Sequence, residues 1–88
     1  MGKVLAVLKI IPEDTNANLN GIADEIKKNL PEKIRYHDSK IEPFAYGLDI
    51  LRISFIMDDN EGGTDNLESM IKGLEGVGEV EVEHLTLI

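Results

Sequence analysis

Residues 33–57 read KIRYHDSKIEPFAYGLDILRISFIM, and this stretch decides the fold. Its second half, Leu48 to Met57, alternates strictly: Leu51, Ile53, Phe55 and Met57 point one way, and Ile50, Arg52, Ser54 and Ile56 the other. A period of two over ten residues is a strand with an apolar face. Its first half, Lys33 to Glu42, carries Ile34, Tyr36 and Ile41 among charged residues and reads as an edge strand with one wet side. The alternation slips between Tyr36 and Ile41, and a bulge near Asp38 and Ser39 accounts for the slip. Pro43-Phe44-Ala45-Tyr46-Gly47 joins the two strands as a hairpin tip.

Outward from this hairpin, each side repeats a helix and then a strand. Before it, Leu19, Ile22, Ala23, Ile26 and Leu30 recur at helical spacing, with Asn16 or Asn18 as cap and Pro31 as stop. Before that helix, Lys3 to Ile11 (KVLAVLKII) is a buried strand ended by Pro12. After the hairpin, the break at residues 58–63 leads to Thr64 as a helix cap and a stripe of Leu67, Met70, Ile71 and Leu74, which Gly76 and Gly78 end. Glu79 to Ile88 is the last strand. The order βαββαβ, with right-handed crossovers, predicts an α+β ferredoxin-like sandwich. Its four-stranded antiparallel sheet has spatial order 4-1-3-2 and both helices on one face. Residues 1–88 are expected to form one domain, since 88 residues suffice for one two-layer core.

Composition narrows the function. The chain has no cysteine, which removes thiol nucleophiles, disulfides and thiolate metal sites. A net charge of −8, from 17 acidic and 9 basic side chains, repels nucleic acid and anionic membranes. The first strand is too short for a membrane span and lacks the flanks of a secretory signal, so the expected location is cytoplasmic. Ser39, His37 and Asp38 cannot converge as a triad, because neighbours on a strand alternate faces. His37 and His84 lie on different strands without metal-ligand spacing, and the contiguous acids at 58–61 read as a solvated turn rather than a calcium loop. Gly62-Gly63-Thr64 has no lysine in the phosphate-loop position. Neither an enzyme nor a metal or cofactor site emerges.

Two regions remain that a core does not explain. Phe44 and Tyr46 are two of only four aromatic residues, and they sit in a tip that is normally polar. Either Phe44 folds back as core with Tyr46 above it, or the pair forms a contact surface. In the last strand, Leu85 and Leu87 fall on the face that Glu79, Glu81 and Glu83 occupied. A bulge would swing them into the core; without one they form an exposed apolar patch. Reading strands one and three as parallel places the tip, Lys3 and the tail residues His84, Leu85, Leu87 and Ile88 together at one end of the sheet.

With these pieces in order, the chain resembles the archaeal translation elongation factor 1-beta family, related to the catalytic domain of the eukaryotic factor. The resemblance runs the full length: KVLAVLKIIPED, EPFAYGL, the apolar strand after it, EGGT and LEGVGEVEV. Pro43, Tyr46, Gly47 and Leu48 match the family's proline, aromatic, glycine and aliphatic signature. The resemblance implies guanine nucleotide exchange on elongation factor 1-alpha, by binding rather than bond-making chemistry, by a protein monomeric when free. It also implies that the aromatic at Tyr46 contacts the GTPase and that the tail approaches its magnesium and phosphate site. The family's penultimate lysine is Leu87 here, and no lysine follows Lys72. Apolar bulk or the terminal carboxylate at residues 84–88, or Lys3 from the same end, would have to act in its place. A small-molecule-sensing or oligomeric interaction domain of the same topology is the competing expectation.

Overall fold

The computed structural model describes residues 2–58 and 64–88; residues 59–63, on which the calcium-loop and Gly62-Gly63 readings fall, lie outside the described residues. The elements are β1 (Lys3–Pro12), α1 (Leu19–Lys28), β2 (Arg35–Ala45), β3 (Leu48–Asp58), α2 (Asp65–Lys72) and β4 (Val77–Leu87). The sheet order is β2-β3-β1-β4, with every neighbouring pair antiparallel. This is the ferredoxin-like fold.

Alternation sorts the side chains of the two central strands. Ala6, Leu8 and Ile10 of β1 and Leu51, Ile53, Phe55 and Met57 of β3 are buried on one face. The helices cover that face with Leu19, Ile22, Ala23 and Ile26 of α1 and Leu67 and Ile71 of α2, all in the same apolar cluster. Asn18 caps α1 by accepting from the Gly21 N–H at 3.1 Å, and Asn29 closes it before Pro31. Thr64 stands at the N-cap of α2, but its hydroxyl donates to the Glu68 carboxylate at 2.8 Å and accepts from no backbone N–H. The helix ends at Gly73, earlier than the glycines the sequence suggested. Gly76 instead takes a left-handed turn (φ +91°). Gly78 packs so closely on Pro12 that an added Cβ would stand 3.0 Å from its carbonyl oxygen.

The sequence-based slip in β2 is real. The register with β3 shifts between Tyr36 and Asp38, making His37 the extra residue one step before the expected place. Tyr36, Ser39 and Ile41 thereby share the helix-side face, opposite Phe55, Ile53 and Leu51. There the Tyr36 hydroxyl and Ser39 Oγ lie 2.8 Å apart, and the Lys27 ammonium of α1 sits 4.4 Å from the Tyr36 ring centroid.

One expectation is overturned. β1 and β3 are antiparallel, Lys3 facing Asp58 and Ile10 facing Leu51. The helical crossover makes β1 and β2 parallel, and the hairpin then reverses the chain, so β3 must oppose β1. The hairpin tip therefore lies where β1 ends and β4 begins. Lys3 and the end of β4 lie at the other end, about 33 Å away along an eleven-residue strand. The tip and the tail do not converge.

Phe55 is fully buried at the centre of the core. Phe55→Ala is expected to lower unfolding free energy by about 3–5 kcal/mol in urea titration. A loss below about 1 kcal/mol would contradict this core.

Candidate functional site

The hairpin tip owes its shape to two backbone devices. Ala45 pairs with Leu48, leaving Tyr46 and Gly47 as a two-residue turn with φ of 52° and 78°. Two positive φ values mark the type I′ turn, whose twist matches the flanking strands. Gly47 meets that demand without strain; a Cβ there would find open space, so the dihedral alone requires glycine. Tyr46 does not. A bulky side chain in the left-handed region costs about 1 kcal/mol, and Asn or Gly is the usual choice. Its side chain is 100% exposed, so no packing within the described residues offsets that strain.

The second device is a register shift between Pro43 and Ala45 that leaves Phe44 as the extra residue. Phe44 does not join the helix-side core. It is half exposed, and the Lys9 ammonium lies 5.4 Å from its ring centroid. Lys9 alternates with the buried Leu8 and Ile10 and so stands on the open face of the sheet. Alternation puts Phe44 on that same face, two residues after Glu42, while Tyr46 projects beyond the end of the sheet. Pro43 precedes the bulge, opposite Asp49.

At the opposite end, β4 carries the bulge that the sequence left open. Leu8 faces Val82 but Val7 faces His84, so Glu83 is the extra residue. Beyond it Leu85 faces Ala6 and Leu87 faces Val4, on the helix-side face. Yet Leu85, Leu87 and Ile88 remain 56, 69 and 64% exposed. The eight residues of α2 span only about 12 Å, against about 33 Å for β4. The helix flanks Val80, where Asp65, Glu68, Ser69 and Lys72 line a shallow cleft with it, and β4 runs on past. Bulge and exposed patch therefore coexist. His84 and Thr86 point to the open face, opposite Val7 and Leu5.

Lys3 is at the tail end, its carbonyl accepting from the Ile88 N–H at 2.9 Å. Its ammonium donates to Asp58 at 2.6 Å, and that bond holds the Asp58 carboxyl below its ordinary range. His37, on the edge strand opposite the one that carries His84, lies 3.2 Å from Ser54 Oγ.

One feature of the open face escaped the sequence reading. Arg52 on β3 donates from Nε and Nη2 to the two carboxylate oxygens of Glu83, at 2.5 and 3.0 Å, and from Nη1 to Glu42. The guanidinium crosses β1 to reach Glu83, tying β3 to both edge strands. These bonds raise the Arg52 pKa and hold the Glu83 carboxyl low against partial burial. The only signal in the sequence was one arginine within an apolar strand.

A family model described as the EF-1 guanine nucleotide exchange domain matches residues 5–88. The chain belongs to that family. It is 46% identical over 84 residues to Elongation factor 1-beta of Sulfolobus acidocaldarius and 45% identical over 84 to that of Staphylothermus marinus, in each case covering 94% of this chain and 93% of the relative. With the Thermoplasma acidophilum protein of that name it shares 36% identity over 88 residues, the whole of both chains. Among solved structures, the C-terminal domain of the MgtC protein from Mycobacterium tuberculosis is similar in fold. It has a TM-score of 0.58 over 97% of this chain and 86% of that one, at 13% identity. Both ends of the sheet fall within the span that matches the exchange-domain family.

Tyr46→Asn relieves the left-handed strain, because asparagine tolerates that region. Urea titration is expected to show stability raised by up to about 1 kcal/mol. A comparable loss would show that the tyrosine ring supports the fold.

Proposed function

We propose that the chain promotes release of GDP from elongation factor 1-alpha, with Tyr46 as the principal anchor. The observation that carries this is the tyrosine's placement: strained in backbone, wholly exposed in side chain, and at the tip of a rigid hairpin. Strain of this kind concentrates at functional sites, and exposed tyrosines are common anchors of interfaces. Membership of the exchange-domain family, and relatives named Elongation factor 1-beta, support the reading.

Exchange of this kind forms no covalent bond. A protein that binds the nucleotide-free GTPase more tightly than the loaded one weakens nucleotide by the same factor. The chain meets that requirement by contact at two places. Pro43, Phe44, Ala45, Tyr46 and Gly47 form one, and His84, Leu85, Leu87 and Ile88 the other. With a long dimension of 42 Å, the free protein holds them at opposite ends and so presses on two separate regions of its partner. The tail end bears on the metal and phosphate region with apolar bulk, since Leu87 stands where the family has lysine and Lys3 is engaged by Asp58. The protein acts as a cytoplasmic monomer. No described helix is long and apolar enough to cross a membrane.

Release of fluorescent GDP from the cognate GTPase tests this. The protein is expected to accelerate release. Tyr46→Ala should raise the concentration needed by about 30-fold, as for a loss of about 2 kcal/mol at an interface anchor. Deleting Leu87 and Ile88 should lower the maximal rate with little effect on that concentration. No acceleration by the intact protein, or full activity of Tyr46→Ala, would overturn the reading.

A further inference from the structure

We propose that Lys9 is a positioning residue for the aromatic tip. Its ammonium holds the Phe44 ring across β3 onto Ile50, and this seat fixes the direction in which Tyr46 projects. The importance of the seat for exchange rests on the reading of Tyr46 given above.

Ile50 is buried where the fold supplies no cover. It belongs to the open face, away from both helices and outside the apolar cluster that they close. Among the described residues it is the one buried side chain on that face, 3% exposed. Arg52, Ser54 and Ile56, which follow it on the same face of β3, are all partly exposed. Glu42 stands beside it on β2, and Ile11, next in register after Ile10 and Leu51, flanks it on β1. Flanking side chains leave the top of an isoleucine open, so its burial needs an apolar group laid over it.

Phe44 supplies that cover. It is rooted on β2 and Lys9 on β1, with β3 between them. Two strand spacings, about 10 Å, separate the roots. Yet the Lys9 ammonium lies 5.4 Å from the Phe44 ring centroid, and the same ammonium is 3.3 Å from Glu81 on β4, beyond β1. An ammonium drawn toward β4 meets the ring only if the ring leans from β2 over β3. The open-face residues of β3 in its path are Ile50 and Arg52, and the Arg52 guanidinium is taken up by Glu42 and Glu83. The ring therefore rests on Ile50. The Lys9 side chain is correspondingly covered, 19% exposed against 51% for Glu81.

The backbone of the tip makes this hold consequential. Phe44 is the extra residue of a bulge, and beyond it Ala45 and Leu48 form the last pair before the turn at Tyr46 and Gly47. One ladder pair after a bulge does little to aim a turn. The seated ring adds a second hold from the centre of the sheet. Glu81 fixes the ammonium, and the ammonium attracts the ring.

The test compares full-length wild type with K9Q, K9R and F44L. The Ile50 methyl protons report the seat, because a ring lying over a methyl moves its NMR signal upfield. F44L removes the ring and gives the unshifted reference. The wild type is expected to show upfield Ile50 methyls. K9Q should lower the ratio of seated to unseated ring about threefold, the scale of an exposed cation–π contact, and K9R, which keeps the cation, should restore it. In the exchange assay K9Q should raise the half-saturating concentration about threefold at an unchanged maximal rate, and K9R should return it to the wild-type value. Unshifted Ile50 methyls in the wild type, or the same upfield shift in K9Q, would overturn the proposal. A seat lost in K9Q with no rise in half-saturation, while Tyr46→Ala still raises it, would overturn the positioning role and leave Tyr46 as the anchor. Were Tyr46→Ala also without effect, the anchor reading itself would fall, whatever the methyl shifts show of the seat.

Discussion

A sheet covered on one face only imposes a strict parity on its strands, and the rest of the molecule follows from how that parity is kept or broken. In β3 it holds without interruption from Leu51 to Met57, and the same is true of β1 from Ala6 to Ile10. The two edge strands break it. His37 and Phe44 are extra residues in β2, and Gly78 and Glu83 are extra residues in β4. Each one turns the following side chains to the other face, so a bulge here is a means of aiming side chains. The first restores Tyr36, Ser39 and Ile41 to one face. The second, at Phe44, lies just before the turn at Tyr46 and Gly47. The fourth decides where Leu85 and Leu87 point.

The directions of the strands are the second determinant. Because a hairpin separates two helical crossovers, β3 opposes β1 and the aromatic tip is carried to the end of the sheet away from Lys3 and the tail. The exposed apolar groups fall into two sets, Phe44 and Tyr46 with Ile41 near one end and Leu85, Leu87 and Ile88 at the other. The two sets are separate, each made of three residues. The sheet between them is stiffened on its open face by Arg52, whose carboxylate partners lie on the two edge strands. Such a pair is worth little where water screens it, but here all three groups are mostly covered.

Much of this was legible from residues alone, and for a local reason. Period-two and helical spacing, Asn18 as a cap and the slip between Tyr36 and Ile41 are properties of short segments. The six elements and their order followed from them. What failed was relational. The direction of β3 against β1 depends on the whole path of the chain, and reading the two as parallel brought tip and tail together wrongly. The left-handed turn at Tyr46 was invisible because tyrosine is not the residue that such a turn calls for, which is also why it is informative. Glu42, Arg52 and Glu83 lie far apart in sequence, and nothing in their spacing announces that they meet. The tail was left between bulge and exposure; the structure has both, because α2 is too short to cover what the bulge turns toward it.

Under the proposed function, both ends of the sheet engage the partner at once. Hydrogen exchange of the backbone amides, measured for the free protein and for its complex with nucleotide-free elongation factor 1-alpha, addresses it directly. Added protection is expected at residues 43–47 and at residues 84–88, with the exposed surfaces of α1 and α2 unchanged. Protection confined to one end, or spread over the outer faces of the helices, would contradict it.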